Sequence, residues 1–241
     1  MELQMKAEAQ RVAIITGSTQ GIGAGLVAAY RQQGWSVVAN ARKVEPSQDS
    51  AILTVSGDVG EASTTSRIID AAMDRFGRID TLVNNAGVFI SKPFTEYTEE
   101  DYAKAVSVNL TGFFRLTQRV IAEMLARDGG HVVNISTTMV DYANSAVPAV
   151  LASLTKGGLT AATRSLAIEY ATRGIRVNAV SLGVIQTQMN PPDAYKGMGA
   201  LHPLGRVGQV SDVVNGILFL ESSPFITGET LHIDGGQIAG H

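Results

Sequence analysis

Short, almost wholly apolar runs punctuate this chain, and between them apolar positions return every three or four residues. The runs VAIITG (12–17), SVVANA (36–41), AILTVSGDV (51–59), TLVNNAG (81–87), HVVNIS (131–136), RVNAVS (176–181) and TLHIDGG (230–236) have the β-branched character of strands buried on both faces. The intervening periodicity predicts helices over 22–33, 62–76, 98–127, 150–172 and 211–221, with Leu26, Val27, Ala29 and Tyr30 available for packing on the first. Strands alternating with helices predict an α/β fold, a doubly wound parallel sheet with helices on both faces. Neither a repeat nor a linker interrupts residues 1–241, so a single domain is expected. The least regular stretch, 186–208, is rich in Pro, Gly and Met and reads as a flexible flap over a substrate site.

Composition acts mainly by exclusion. With 45% apolar and 17% charged residues the chain is globular, and its net charge of -3 gives no reason to expect nucleic acid or an acidic membrane as partner. The absence of cysteine removes disulfides and thiolate metal sites, and His131, His232 and His241 lack metal-ligand spacing. MELQMKAEAQ has no signal-peptide core, and no apolar run reaches the roughly 18 residues of a membrane span, so a soluble cytoplasmic protein with a small-molecule substrate is expected.

The first chemical signal is TGSTQGIG, residues 16–23, between the first strand and the first helix. Gly17 permits a tight turn, Gly21 a close approach to a pyrophosphate, and Gly23 close packing of helix on sheet. The helix then offers free N–H groups and the positive end of its dipole to the phosphates. A tight turn with glycines kept for packing is the other reading of the same letters. Glu99, Glu100 and Asp101 open a later helix, where their charge complements the dipole.

Further motifs follow in order: Asp58-Val59, NNAG at 84–87, Asn109 in a helix, NIST at 134–137, a helix bearing Lys156, RVNAVS and a terminal IDGG. Together with TGxxxGIG they resemble the short-chain dehydrogenase/reductase family, in its acyl-carrier-protein ketoreductase-like branch. The resemblance implies a Rossmann-type sheet of about seven strands, a nicotinamide cofactor and a homotetramer. It places Gly17, Thr19, Gly21, Ile22 and Gly23 at the phosphates, and Asp58 and Val59 at the adenine. Asn85, Ala86 and Gly87 fall along the adenosine and ribose region, Lys156 at the nicotinamide ribose, Thr187 in the carboxamide or phosphate region, and Gly183 also at the cofactor. Asn84 is expected mainly to clamp backbone.

Cofactor choice turns on the end of the second strand. A carboxylate there binds a ribose 2′-hydroxyl, whereas a 2′-phosphate needs a cation. The family's aspartate position holds Ala41 and is followed by Arg42, which favours NADP(H) with NAD(H) still possible; Gln20 stands where many NADP-dependent relatives carry a basic residue.

The family's proton chemistry uses Asn, Ser, Tyr and Lys, the last two as YxxxK on one helical face. Here Lys156 remains and the tyrosine position holds Ala152. Ser153 is turned by about 100° from that face. The resemblance assigns Asn109 a water beside Lys156 and gives the serine position to Thr137, with Ser136 beside it; Tyr142 is a candidate donor from the following loop, which is about two residues longer than in relatives. Leu182-Gly183 keeps only the glycine of the family's Pro-Gly pair, and Met189, Tyr195, Met198 and His202 lie in the flap. The expected activity is NADP(H)-dependent hydride transfer to or from a small carbonyl, quinone or imine-like substrate, with atypical proton transfer. The alternative is a noncatalytic NADP(H)-binding subunit or sensor.

Overall fold

The computed structural model describes residues 10–127, 129–188 and 192–240; Met189 and His241 lie outside them. Strands β1 (Val12–Thr16), β2 (Ser36–Ala41), β3 (Ile52–Ser56), β4 (Thr81–Asn84), β5 (Gly130–Thr137), β6 (Ile175–Leu182) and β9 (Thr230–Ile233) form one sheet in the order β3-β2-β1-β4-β5-β6-β9. Every pairing in it is parallel. The strand order reverses between β1 and β4, so Thr16 and Asn84 end side by side at the mouth of a crevice, the place where open α/β sheets bind ligands.

Alternation along β1 divides the interior in two. Val12 and Ile14 pack with Ile68 and Ile69 of α2 (Ala62–Phe76) and with Leu116 and Val120 of α4 (Phe113–Leu125). Ala13 and Ile15 face the opposite way, onto Leu26 and Tyr30 of α1 (Gly21–Gln32) and Val213 and Ile217 of α6 (Val210–Ser222). A fifth major helix, α5 (Val150–Tyr170), lies on the α4 side through Ala167.

The helix expected over 98–127 is divided. α3 (Glu99–Val106) starts with a capping box in which Thr98 Oγ1 accepts from Asp101 N at 3.1 Å and Thr98 N donates back to Asp101 Oδ2 at 3.0 Å. Between α3 and α4 the chain widens into a π turn, Ser107–Gly112, which carries Asn109. Such turns commonly mark functional sites. Gly112 at its end admits another element closely: a Cβ there would lie 2.5 Å from Val59 Cγ2.

The flap holds a small parallel pair, β7 (Ile185–Gln186) with β8 (Gly208–Gln209), and short turns at Pro192–Tyr195 and Met198–Leu201. His202 fastens this segment to the sheet. It is buried, with Nδ1 2.7 Å from Asp234 O and Nε2 accepting from Val184 N at 3.3 Å. Both ring nitrogens are committed to backbone, so His202 pins a loop.

Candidate functional site

Two turns meet at the crevice and are stitched together by one threonine and one asparagine. Thr16 Oγ1 accepts from Asn85 N at 3.1 Å and from Ala86 N at 2.9 Å. Asn85 Nδ2 donates back to Thr16 O at 2.8 Å and Gly17 O at 3.1 Å. The Asn85 amide nitrogen therefore supports the glycine turn from beneath. Asn84, expected to clamp backbone, bonds side chains instead: its Nδ2 donates to Thr117 Oγ1 and Asn134 Oδ1, each at 2.9 Å.

That support explains the glycines. Gly17 takes φ +66°, and a Cβ on Gly23 would lie 2.1 Å from Gly17 O. A Cβ on Gly21 would approach Thr187 at 3.1 Å, so Thr187 of the flap stands over the first turn of α1. Tyr195 holds it there, its hydroxyl accepting from Thr187 N at 3.1 Å and lying 3.2 Å from Thr187 O. Ile22 packs into the core of the α1 face, whereas Thr19 is exposed. Gln20 makes no side-chain cap and the first turn of α1 holds no acid. The helix thus presents backbone N–H groups and a positive dipole end to the crevice.

At the next strand end, Ala41 closes β2 and accepts from Gly57 N at 2.9 Å. Arg42 and Lys43 follow, both exposed and neither ion-paired among the described residues. Asp58 Oδ1 accepts from Gly60 N at 2.9 Å, fixing the turn that carries the buried Val59.

On the other side of the crevice α5 supplies Lys156, whose Nζ donates to Ile135 O at 2.8 Å. Burial pushes this ammonium down to about 8, and no carboxylate counters it. A Cβ on Gly87 would lie 2.9 Å from Nζ and 3.3 Å from Asn109 Oδ1, so the glycine is what lets backbone, cation and π turn converge. Asn109 spends both amide hydrogens, on Val88 O and on Thr155 Oγ1 at 3.0 Å each, and its Oδ1 accepts from Val88 N at 2.9 Å. Its side chain positions the Gly87-Val88 turn, which leaves it no hydrogen to offer a water.

The hydroxyl candidates separate by strand phase. Ser136 faces α5: its Oγ is 3.0 Å from Thr160 Oγ1 and 3.4 Å from Lys156 O, and the residue is buried. It belongs to packing, a correction to its expected contact with substrate. Thr137, half-buried at the end of β5, accepts from Met139 N at 3.4 Å and keeps its own proton to donate. Thr138, which the sequence did not single out, is buried beside Gln237 Oε1 at 3.0 Å. Tyr142 is half-buried, with its backbone N donating to Thr138 O at 2.8 Å.

Ala152 is buried one helical turn before Lys156. Its neighbour Ser153 points elsewhere, donating to Met139 O at 2.8 Å. Ser91 Oγ donates to Pro148 O at 2.9 Å, tying the loop after β4 to the start of α5. Gly183 is needed for packing, since a Cβ there would lie 2.5 Å from His202 Cε1. Among the described residues no acid or histidine cluster suits a metal, and no helix is long and apolar enough to cross a membrane.

The family profile described as enoyl-(acyl carrier protein) reductase matches residues 17–237. The 3-oxoacyl-acyl-carrier-protein reductase FabG of Thermotoga maritima is 34% identical over 95% of this chain and 98% of its own length. 3β-Hydroxysteroid dehydrogenase 1 of Eggerthella lenta is 33% identical over 94% of this chain and 93% of its own. Among solved structures, ElxO with NADP bound matches with TM-score 0.89 at 30% identity, covering 96% of this chain and 100% of that one. The Brucella melitensis 3-ketoacyl-(acyl-carrier-protein) reductase complexed with NADH matches with TM-score 0.85 at 27% identity, covering 95% and 98%.

Proposed function

Because the chain belongs to the short-chain dehydrogenase/reductase family, we propose that it is an NADP(H)-dependent oxidoreductase acting on a small carbonyl, quinone or imine-like substrate, with proton transfer that does not use residue 152. The observation that carries this reading is the buried, unpaired Lys156 ammonium held against Gly87 at the mouth of the crevice. Folding alone gives no reason to keep such a charge.

The residues present fit a dinucleotide. Gly17, Gly21 and Gly23 with the uncapped start of α1 suit the pyrophosphate, Asp58 and Val59 the adenine, and Ala86 and Gly87 the ribose side. Arg42 is unpaired and exposed beside Ala41, which suits a 2′-phosphate and makes NAD(H) the weaker ligand. Lys156 would bind nicotinamide ribose hydroxyls, Thr187 the carboxamide side, and Thr137 would donate to a substrate oxygen. The bound nicotinamide supplies or accepts hydride. Orientation of hydride and carbonyl is the larger part of the rate, and a positioned acid adds about a hundred- to ten-thousandfold, so Ala152 does not abolish the chemistry. We further propose a cytoplasmic homotetramer, with the described residues of 186–208 as the cover of the substrate.

A second reading, a noncatalytic NADP(H)-binding subunit or sensor, is favoured by Ala152 itself. Purified protein titrated with NADPH and then offered ketones, quinones and cyclic imines separates the two. Saturable binding with turnover of any of these classes is expected. Binding with no turnover anywhere would favour the sensor, and no saturable binding would contradict both.

A further inference from the structure

Resting on the oxidoreductase reading, we propose that the Lys156 ammonium is itself the acid that protonates the substrate oxygen, with nothing standing between them. The crevice leaves few other sources. Ser136 is bonded within the β5–α5 packing. Thr137 keeps its hydrogen, but an alcohol releases a proton far too reluctantly near neutrality to serve as the source. Tyr142 lies on the loop after β5, and among the described residues the Lys156 Nζ hydrogen bond goes to Ile135 O.

Lys156 has the geometry for the task. Its ammonium carries three N–H donors, and one is spent on Ile135 O at 2.8 Å. Among the described residues the other two face Gly87, which has no side chain, and the already committed Asn109. Side chains on a helix lean toward its N-terminus, so Lys156 lies along the face that residue 152 occupies. With a methyl group there, no phenol occupies the space between the ammonium and the crevice. The elements packed around Nζ are β5 through Ile135, the turn after β4 through Gly87, and the π turn through Asn109. None of these residues is ionisable, and burial alone holds the amine near neutrality, so proton-bearing and proton-free forms are both accessible there.

The step balances. Reduced nicotinamide dinucleotide provides the hydride, whose electron pair becomes the new C–H bond. The π pair of the carbonyl moves onto oxygen, one N–H bond of Lys156 breaks, and its proton completes the O–H. The neutral amine regains a proton from solvent. In the oxidative direction the same amine takes the proton of the alcohol.

Lys156→Arg tests this, because a guanidinium keeps the charge that holds ribose hydroxyls and does not give up a proton. The variant should bind NADPH within about tenfold of wild type yet reduce substrate at least a hundredfold more slowly. The alkaline fall in the wild-type rate of reduction should vanish. Independently of activity, the 15N resonance of the Lys156 ammonium in the wild-type protein without nucleotide should titrate near 8 rather than at the usual lysine value. An unchanged pH profile in Lys156→Arg, an ordinary lysine midpoint, or loss of turnover in Tyr142→Phe with Lys156→Arg still active would each overturn the proposal. A wild-type protein that binds NADPH and turns over with such a profile leaves the oxidoreductase reading standing, whereas failure to bind NADPH removes both.

Discussion

The two ends of β5 each bury an ionisable side chain, and they treat it in opposite ways. At the start of the strand His131 Nδ1 donates to Glu221 Oε2 at 3.0 Å, and Nε2 faces Asn178 Nδ2 at 3.1 Å. The same carboxylate oxygen accepts from Tyr30 at 3.0 Å and Thr81 at 2.9 Å. At the far end Lys156 has one backbone carbonyl and no counter-charge. A fully partnered buried network rigidifies a fold, while a lone buried cation costs stability and calls for another explanation. The contrast supports the proposed site at the C-terminal edge of the sheet, where the glycine turn also lies.

The largest expected effect breaks the partnered end. Glu221→Ala strands Tyr30, Thr81 and His131 without their shared acceptor and should cost about 3–5 kcal/mol in denaturant unfolding. Cofactor affinity should change little per folded molecule, because the network lies at the other edge of the sheet.

A smaller effect sharpens the working end. Arg42→Ala removes the unpaired cation after β2, and the preference for NADPH over NADH should fall about tenfold or more in measured dissociation constants. A preference that survived intact would remove the argument for a 2′-phosphate.

A further contrast lies in the pH dependence of stability, and it distinguishes the two ends by sign. Burial, opposed by Glu221, holds His131 below its ordinary 6.5, so the unfolded chain takes up a proton first and stability falls as pH drops below about 6.5. Burial works to raise Glu221, but its donors His131, Thr81 and Tyr30 together bring it below 4.5, adding a further loss as pH falls through its folded value. Lys156 acts on the alkaline side. Its folded value of about 8 against 10.5 imposes a penalty that is complete below 8 and fades as pH rises to 10.5. Unfolding followed across both ranges should show a fall in acid and, relative to Lys156→Met, a recovery in alkali.

The inner strands were legible because they are buried on both faces: SVVANA spans the wholly buried β2 from end to end. Lys156 and the alanine at 152 were legible through the family resemblance, and the four-residue spacing, which needs no tertiary information, set both on one helical face. What escaped depends on contacts far apart in sequence. Nothing in SVNLTG announces the π turn, and the approach of Val59 to Gly112 joins residues far apart in the chain. Asn85 turned inward because the carbonyls of Thr16 and Gly17 needed a donor. Ser136 and Thr137 are adjacent letters, and only the phase of β5, set by Asn134 against Thr163 and Ser136 against Thr160, decides which one faces α5. The pair β7 and β8 has two residues per strand, too short for any periodicity.

Thermal unfolding of Lys156→Met with and without NADPH tests the central claim most directly. The uncompensated ammonium costs roughly 3 kcal/mol at neutral pH if the whole shift from 10.5 to about 8 is charged to folding. Without nucleotide the methionine variant should therefore melt above wild type, by about 5 °C or more, and NADPH should raise its melting temperature far less than that of wild type. A variant less stable than wild type, or one that NADPH stabilises just as well, would contradict a lysine kept for its ligand at the expense of the fold.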